Sequence, residues 1–140
     1  MNIAQISFKK ANAGDFKKLY QLDRLSDENH HWKLSFFNHQ DLIKIAIIAN
    51  QIVGFVVYQT TDVVEIFRIT THHDFKNQSV ATALIEALKQ LNKSIILELR
   101  EGNFKACQLY QKLGFEQISK REKYYSNGKD AKIIQFSTAN

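Results

Sequence analysis

The stretch from residue 63 to residue 100 constrains the fold most, because it reads as a strand, a helix and a second strand in direct succession. Residues 63–70 and 94–100 are largely apolar, and residues 79–91 carry one apolar stripe at helical spacing. A crossover of this kind within one sheet is right-handed and makes its two strands parallel. The chain is therefore expected to have a mixed α/β fold.

Shorter patterns place the other elements around this crossover. Strands are predicted at residues 3–9, 42–49, 52–59, 116–124 and 131–136, and further helices at residues 12–23 and 103–113. Asn50-Gln51 is the predicted turn between the second and third strands, and residues 27–40 are expected to hold a loop and a short helix. The predicted order is β-α-α-β-β-β-α-β-α-β-β, a sheet of six to seven strands with flanking helices in a single domain over residues 1–140.

The composition is that of an ordinary globular chain, with 44% hydrophobic and 24% charged residues. No apolar run approaches the roughly 20 residues of a membrane span. The N-terminal residues alternate like a strand and lack the long apolar core of a signal peptide. The single cysteine, Cys107, excludes an internal disulfide and fits a reducing cytoplasm. It lies in the middle of a predicted helix, where packing is a better explanation than nucleophilic chemistry.

The charge of the chain bears on its partners. A formal net charge of +5 favours nucleic acid, an acidic protein or a phosphate-rich cofactor, although scattered lysines that serve only solubility are an equal alternative. Two pairs of adjacent histidines, His30-His31 and His72-His73, raise the question of a metal. Because adjacent side chains are expected to point in different directions, with no Cys, Asp or Glu to complete a ligand set, no metal is predicted.

The segment between the strand at 63–70 and the helix at 79–91 is polar and leads into a helix N-terminus. Backbone N–H groups and the helix dipole attract anions at such a position. Lys76 adds positive charge, and the hydroxyls of Ser79 and Thr82 could donate to phosphate oxygens. Phosphate binding is one interpretation of this segment. The other is that Ser79 only caps the helix.

The following strand and helix carry a carboxylate and a phenol. Glu98 lies on the predicted strand and Tyr110 on the predicted helix, which ends at Gly114. Helical side chains lean toward the helix N-terminus, so Tyr110 is expected to point back toward the end of the strand. Such a pair on adjacent rigid elements suits proton transfer on an amine. The alternatives are an ion pair between Glu98 and Arg100 and core packing of Tyr110.

Several short motifs occur together in the second half of the chain. They are Ile66-Phe67-Arg68-Ile69, Lys76-Asn77-Gln78-Ser79-Val80-Ala81, Leu97-Glu98-Leu99-Arg100, Asn103, Leu109-Tyr110, Leu113-Gly114-Phe115, and Tyr124-Tyr125 followed by Asn127-Gly128-Lys129-Asp130-Ala131. In this combination the chain resembles the GCN5-related N-acetyltransferase (GNAT) superfamily, and within it the RimI-like ribosomal-protein alanine N-acetyltransferases. The N-terminal part matches only loosely, with His31-Trp32 where that branch often has Pro-Trp.

The resemblance implies acetyl-CoA as co-substrate and no metal. In GNAT enzymes a Gln/Arg-x-x-Gly-x-Gly/Ala loop binds the pyrophosphate, and the implied contacts in this chain are Lys76, Asn77, Gln78, Ser79, Val80, Ala81 and Thr82. Ser79 departs from the pattern, since glycine lets the backbone approach phosphate without a Cβ in the way. Its side chain either clashes with the phosphate or replaces a contact. The backbone of Ile69, Thr70 and Thr71 would pair with the pantetheine, and Asn103 would be a further cofactor contact.

The resemblance also implies that Glu98 acts as base and Tyr110 as acid. Trp32, Tyr124 and Tyr125 would form the walls of a pocket for a peptide terminus, or alternatively cover the core. The implied acceptor is a protein N-terminal α-amine, with ribosomal proteins as one class. The alternatives are a small amine as acceptor and a cofactor-impaired GNAT-fold module that binds RNA or a ribosomal partner. A monomer or weak homodimer is expected for the enzyme, with no membrane partner and no direct contact to nucleic acid.

Overall fold

The computed structural model describes residues 5–26, 32–37, 42–75, 79–122 and 130–138, and its elements follow the predicted order. The strands are β1 (Ser7–Lys10), β2 (Leu42–Ile48), β3 (Gln51–Thr60), β4 (Val64–Thr71), β5 (Ile95–Arg100), β6 (Glu116–Arg121) and β7 (Ala131–Phe136). The helices are α1 (Phe16–Ser26), α2 (Leu34–Phe37), α3 (Val80–Lys89) and α4 (Phe104–Lys112). Short 3₁₀ turns at Ala13–Asp15 and His73–Phe75 precede α1 and α3.

Seven strands form one sheet in the order β1-β2-β3-β4-β5-β7-β6, which confirms the predicted mixed α/β class. β4 and β5 are parallel, and the other neighbouring strands are antiparallel. The parallel pair is the one joined through α3, as the crossover pattern predicted. None of the helices within the described ranges is long and apolar enough to cross a membrane.

Each face of the sheet buries its own hydrophobic cluster. The cluster under α3 and α4 includes Val56, Val64, Ile66, Val80, Leu84, Ile85, Leu88, Ile95, Leu97, Leu99, Tyr110, Phe115 and Ile134. The cluster under α1 and α2 includes Leu19, Leu22, Phe37, Ile43, Ile45, Phe55 and Val57. The fold therefore has three layers, with α1 and α2 on one face of the sheet and α3 and α4 on the other.

The turn between β2 and β3 differs from the prediction by one residue. It is Ala49-Asn50, with φ angles of 49° and 65°, and Gln51 already pairs with Ile48 in the ladder. Two positive φ angles are typical of a type I′ turn, whose twist matches that of the flanking strands. The left-handed conformation suits asparagine but not alanine, and the sequence therefore gave no signal that Ala49 belongs to the turn.

The end of α4 agrees with the prediction. Gly114 has a φ of 93°, and the N–H of Phe115 donates to the carbonyl of Tyr110 at 2.9 Å. Phe115 is buried and packs on the Tyr110 ring. Cys107, in the middle of the helix, is partly buried against the same cluster, which confirms its packing role.

A β-bulge in β4 separates this strand from its parallel neighbour. Tyr58 of β3 faces Ile66 and Val57 faces Arg68, so that Phe67 is an extra residue. Such an insertion bends the strand and reverses the alternation of its side chains. Pairing between β4 and β5 covers only the three residues up to Ile66, although both strands continue. The two strands therefore diverge beyond Ile66.

Gly54 on β3 permits a close contact between the sheet and the first residue of α3. A Cβ at this position would lie 2.8 Å from the carbonyl oxygen of Thr70 and 2.8 Å from Cγ1 of Val80. Gly54→Ala is expected to lower the free energy of unfolding by about 1–3 kcal/mol, because α3 or β4 must move. Urea denaturation measures the change. Gly14→Ala is the control, since its nearest atom belongs to the exposed side chain of Asn12 at 3.1 Å; an equal loss there would contradict the packing argument.

Candidate active site

The divergence of β4 and β5 leaves a cavity of about 780 Å³, which we call the β4–β5 cleft. Its walls are residues 66–71 of β4, residues 97–100 of β5, the turn at 101–103 and the first turns of α4. Ser26, at the end of α1, and Ala81, in the first turn of α3, complete the lining. Parallel sheets bind their ligands at the carboxyl ends of the strands, and the cleft lies at that end.

One edge of β4 is free to pair with a ligand. Beyond Ile66 the strand has no ladder partner on its β5 side among the residues that the structure describes, while its other side stays paired with β3 as far as Thr71. Ile69, Thr70 and Thr71 all line the cleft. An extended molecule with amide groups can add to such an edge as a further strand. The three residues assigned to pantetheine therefore lie along this edge, and their contact with the donor stays a prediction.

Glu98 reaches the cleft from the face of the sheet that α1 and α2 cover. Its neighbours Leu97 and Leu99 are buried in the cluster under α3 and α4, and alternation along the strand turns Glu98 to the opposite face. Its Oε1 lies 3.1 Å from Nη1 of Arg121, which extends from β6 across the intervening strand β7. The alternative of a pair with Arg100 is wrong, because the ion partner is Arg121.

Tyr110 reaches the cleft from the other face. It is 3% exposed, packs edge-on against Phe115 with ring centroids 5.2 Å apart, and also lines the cleft. Burial raises the pKa of the Tyr110 phenol well above its usual value, so the hydroxyl keeps its proton at neutral pH. The core packing that the sequence offered as an alternative is therefore confirmed, and because Tyr110 also lines the cleft, its role as acid stays a prediction.

Ser79 takes a left-handed conformation at the start of α3. Its φ and ψ are 62° and 26°, its side chain makes no cap hydrogen bond, and its carbonyl accepts from the N–H of Ala83 at 2.9 Å. The hydroxyl cap that the sequence allowed is therefore wrong. The position requires the backbone conformation that glycine adopts most easily.

The family model described as the acetyltransferase (GNAT) family matches residues 7–115 of the 140-residue chain. The chain belongs to the GNAT family. It is an N-acetyltransferase with acetyl-CoA as acetyl donor, as the sequence motifs predicted. The β4–β5 cleft, with an unpaired strand edge and a helix N-terminus beside it, fits an extended donor that carries amides and phosphates.

Two relatives of this GNAT enzyme are named as an N-alpha-acetyltransferase and as an alanine N-acetyltransferase of ribosomal protein bS18. The chain is 29% identical to a "[Ribosomal protein bS18]-alanine N-acetyltransferase" from Haemophilus ducreyi, over 79% of this chain and 83% of the relative. It is 24% identical to an "N-alpha-acetyltransferase" from Saccharolobus solfataricus, over 91% and 90%. The crystal structure of the ribosomal-protein-S18-alanine N-acetyltransferase from Escherichia coli has a TM-score of 0.87 with 24% identity, over 96% of this chain and 95% of that one.

The remaining pyrophosphate-loop residues lie in different surroundings. Ala81 lines the cleft, Thr82 is partly buried outside its lining, and the side chain of Val80 is fully buried, so Val80 can offer only its backbone. Lys76, Asn77 and Gln78 fall outside the described residues. The contacts of this loop with acetyl-CoA stay predictions.

Replacing Ser79 by glycine is expected to stabilise the enzyme. The left-handed conformation costs a non-glycine residue about 1–2 kcal/mol, and the greater freedom of glycine in the unfolded chain removes about 0.4–1 kcal/mol of the gain. The free energy of unfolding should thus rise by up to about 1.6 kcal/mol, measured by urea denaturation. Asn92→Gly is the matched control, since Asn92 has a φ of 57° but asparagine tolerates it, and a smaller gain is expected there.

A loss of stability in Ser79→Gly would contradict this account of the position. Calorimetry with acetyl-CoA on the same variant addresses the cofactor. Tighter binding means that the side chain obstructs the donor, and weaker binding means that the hydroxyl contacts it.

Asn103 lines the cleft and also begins α4. Its side-chain oxygen accepts from the N–H of Ala106 at 3.4 Å, as an N-cap residue does. Its assigned contact with the cofactor stays a prediction. The capping hydrogen bond already fixes the orientation of the Asn103 side chain that would make this contact.

The histidine turn after β4 differs from the expectation. His72 and His73 do not point apart: their rings stack with centroids 4.7 Å apart, and the carboxylate of Asp74 lies 3.2 Å from Nε2 of His73. Nδ1 of His72 accepts a hydrogen bond from the N–H of Asp74 at 3.1 Å, so that nitrogen already has a partner within the turn. His30 and His31 lie outside the described residues. A metal is not proposed.

The predicted acceptor pocket is described only in part. Trp32 is partly buried against Phe36 and Phe37 and is not among the described residues that line the cleft. Tyr124 and Tyr125 lie outside the described residues. The role of these aromatic side chains at the acceptor stays a prediction.

Asp23 is a residue of this site that sequence reasoning missed. It is fully buried on α1 and contacts Arg68 and Thr70, two residues that line the cleft. Its position one turn after the buried Leu19 was the available signal, because a carboxylate on the apolar face of a helix needs partners.

Proposed function

We propose that this GNAT enzyme acetylates the α-amino group of a protein N-terminus, with Glu98 as base and Tyr110 as acid. The observation that carries the proposal is that both side chains line one cleft while approaching it from opposite faces of the sheet. The names of the two curated relatives, one an N-alpha-acetyltransferase and one a bS18-alanine N-acetyltransferase, support this acceptor class. A ribosomal protein is the first candidate.

The acetyl donor is held along β4. The backbone of Ile69, Thr70 and Thr71 pairs with the pantetheine amides, and a backbone N–H of this edge can polarise the thioester carbonyl. The residues 76–82 at the start of α3 hold the pyrophosphate through backbone N–H groups. The thioester then lies in the opening between β4 and β5, within reach of both sheet faces.

Glu98 prepares the acceptor. An α-amino group has a pKa of about 7.7–8.0 and must lose its proton before it attacks the thioester carbon. The carboxylate takes that proton directly or through one water. Arg121 orients the carboxylate through the contact at 3.1 Å, and the Glu98 side chain stays 32% exposed, so that the incoming amine can approach it.

Tyr110 serves the leaving group. As the carbon–nitrogen bond forms and the carbon–sulfur bond breaks, negative charge develops on sulfur, and the buried phenol donates a hydrogen bond to it. A thiol has an ordinary pKa of about 8.5, below that of the buried phenol, so Tyr110 acts as an acid by hydrogen-bonding the thiolate and keeps its own proton. On its way to the amide the α-ammonium gives up two protons. Glu98 takes the first before the attack and passes it to solvent, and the second, lost from nitrogen as the carbon–sulfur bond breaks, becomes the proton that the released thiol carries.

Mass spectrometry of peptides incubated with the enzyme and acetyl-CoA tests the proposal. A peptide with an N-terminal alanine should gain one acetyl group at its α-amine, and the same peptide with a blocked N-terminus should gain none. A polyamine and an aminoglycoside serve as small-amine acceptors in parallel. Preferential transfer to a small amine, or to lysine side chains of the blocked peptide, would contradict the proposed acceptor.

Three further predictions belong to the same proposal. The domain spans residues 1–140, the enzyme acts as a monomer or weak homodimer, and it works in the cytoplasm, to which its single cysteine is suited.

A further inference from the structure

Asp23 makes a dense set of contacts for a single buried side chain. Its Oδ1 accepts from Nε of Arg68 at 2.9 Å and from the hydroxyl of Thr70 at 2.7 Å, and Nη2 of Arg68 lies 2.8 Å from the same oxygen. Its Oδ2 accepts from the backbone N–H of Trp32 at 2.7 Å. The carboxylate thus joins three parts of the chain: α1, the segment before α2, and β4.

We infer that Asp23 is a positioning residue that fastens the acceptor wall of the cleft to β4. By acceptor wall we mean the end of α1, whose Ser26 lines the cleft, together with the segment that begins at Trp32, which does not itself line the cleft but is joined to α1 through Asp23. The inference rests on the proposed function, because it assigns this wall to the acceptor amine. Asp23 itself lies beneath the wall and is fully buried.

The donor side does not depend on Asp23 in the same way. β4 is paired with β3 from Val64 to Thr71, and this ladder holds the strand whether or not Asp23 is present. The acceptor wall lacks a ladder of its own. Its described polar ties to β4 are those of Asp23 and a hydrogen bond from Oγ of Ser26 to the carbonyl of Thr71 at 3.1 Å.

The bulge at Phe67 makes this connection possible. Val64 and Ile66, before the bulge, face the cluster under α3, whereas Arg68 and Thr70 face α1. If the same residues ran as a regular strand without the bulge, strict alternation from Ile66 would turn Arg68 and Thr70 toward α3 and away from Asp23. The bulge at Phe67 therefore has two effects: beyond it β4 diverges from β5 and opens the cleft, and it turns the hydrogen-bond donors of Arg68 and Thr70 toward Asp23.

Asp23→Asn is the informative variant. A carboxylate accepts hydrogen bonds at both oxygens, whereas an amide accepts at one end and donates at the other. If the amide oxygen stays with Arg68 and Thr70, the amide N–H₂ meets the N–H of Trp32, and two donors then face each other. The variant should release the segment at Trp32 while β4 keeps its register.

The expected result is a split between the two substrates. KM for the acceptor peptide should rise about tenfold, the effect of losing one hydrogen bond to a charged group. The dissociation constant of acetyl-CoA should stay nearly unchanged. The control is Asp15→Asn, since Asp15 also accepts from a backbone N–H and pairs with a lysine, but on the surface at the start of α1. It should leave both constants unchanged.

Trp32 provides a second readout that needs no catalysis. It is the only tryptophan in the chain, so intrinsic fluorescence reports on the acceptor wall directly. Asp23→Asn should shift the emission to longer wavelength and increase quenching by acrylamide, and Asp15→Asn should change neither. Should Asp23→Asn fail to fold, Arg68→Gln removes the guanidinium but leaves the carboxylate, and a smaller change of the same kind is expected.

The outcomes separate this inference from the proposed function. The positioning role would be overturned if Asp23→Asn lost peptide binding and acetyl-CoA binding equally. It would also be overturned if the unmodified enzyme acetylates the peptide and Asp23→Asn changes neither KM nor Trp32 fluorescence. If the wild type acetylates no peptide while the Trp32 signal shifts in Asp23→Asn, the acceptor assignment fails and the fastening of the wall stands.

Discussion

Glu98→Gln is expected to lower kcat for peptide acetylation by about 10²–10⁴-fold at neutral pH, the usual contribution of a general base. The amide keeps the size of the side chain but cannot take the proton from the amine. Acetyl-CoA binding should be nearly unchanged, because Glu98 approaches the cleft from the face opposite Tyr110 while the donor pairs with β4. Steady-state kinetics and calorimetry measure the two effects. Glu116→Gln, on the exposed edge strand β6, is the matched control and should leave kcat unchanged.

The pH dependence of this variant distinguishes a base from a purely structural role. Above the amine pKa of about 7.7–8.0 the acceptor is already neutral in solution and needs the base less. The deficit of Glu98→Gln should therefore shrink between neutral pH and about pH 9. A deficit that is the same at every pH, or a rate equal to that of the unmodified enzyme, would count against Glu98 as the base.

Tyr110→Phe is expected to lower kcat by about 10²-fold with little change in acetyl-CoA affinity. The ring and its contact with Phe115 remain, and only the hydroxyl that donates to the leaving sulfur is lost. Tyr58→Phe is the matched control, because Tyr58 is partly buried and packs against the same cluster. Burial also raises the pKa of the Tyr58 phenol. It should retain the activity of the unmodified enzyme. Comparable losses in both variants would mean that packing, rather than the hydrogen bond from the Tyr110 hydroxyl, explains the effect.

The raised pKa of Tyr110 sets the direction of a second measurement. A folded-state pKa above the unfolded value means that the neutral phenol contributes stability below about pH 10, the ordinary tyrosine value, and loses it as the pH rises further. Thermal unfolding followed above pH 10 should therefore show a steeper loss of stability in the unmodified enzyme than in Tyr110→Phe. Phenol ionisation is not expected to limit turnover at any pH below 10.

The order of elements was predictable because each has a local signal. The apolar stripe of residues 79–91, the alternating strands and Gly114 at the end of α4 all depend on side chains near one another in sequence. The parallel pairing of β4 and β5 followed from the handedness of crossovers. The turn at Ala49-Asn50 was misplaced because alanine gives no signal for a left-handed conformation.

The site was predictable where its residues lie on one local segment. Glu98 and Tyr110 stand on a strand and the helix that follows it, and both line the cleft. Arg121 was not predictable as the partner of Glu98, because β7 is inserted between β5 and β6 in the sheet although it comes last in the chain. Asp23 depends on contacts with Arg68 and Thr70, 45 and 47 residues away, which no local pattern reveals.

Phe67 has a consequence for how the length of β4 can vary. A deletion or insertion of one residue between Ile66 and Arg68 changes no charge and removes no proposed catalytic group. Either change would leave Arg68 and Thr70 facing the acceptor wall, but it would remove or enlarge the bulge beyond which β4 diverges from β5. A substitution within β4 affects the contacts of one side chain. A change in the number of residues in β4 would instead alter the shape of the cleft that both substrates enter.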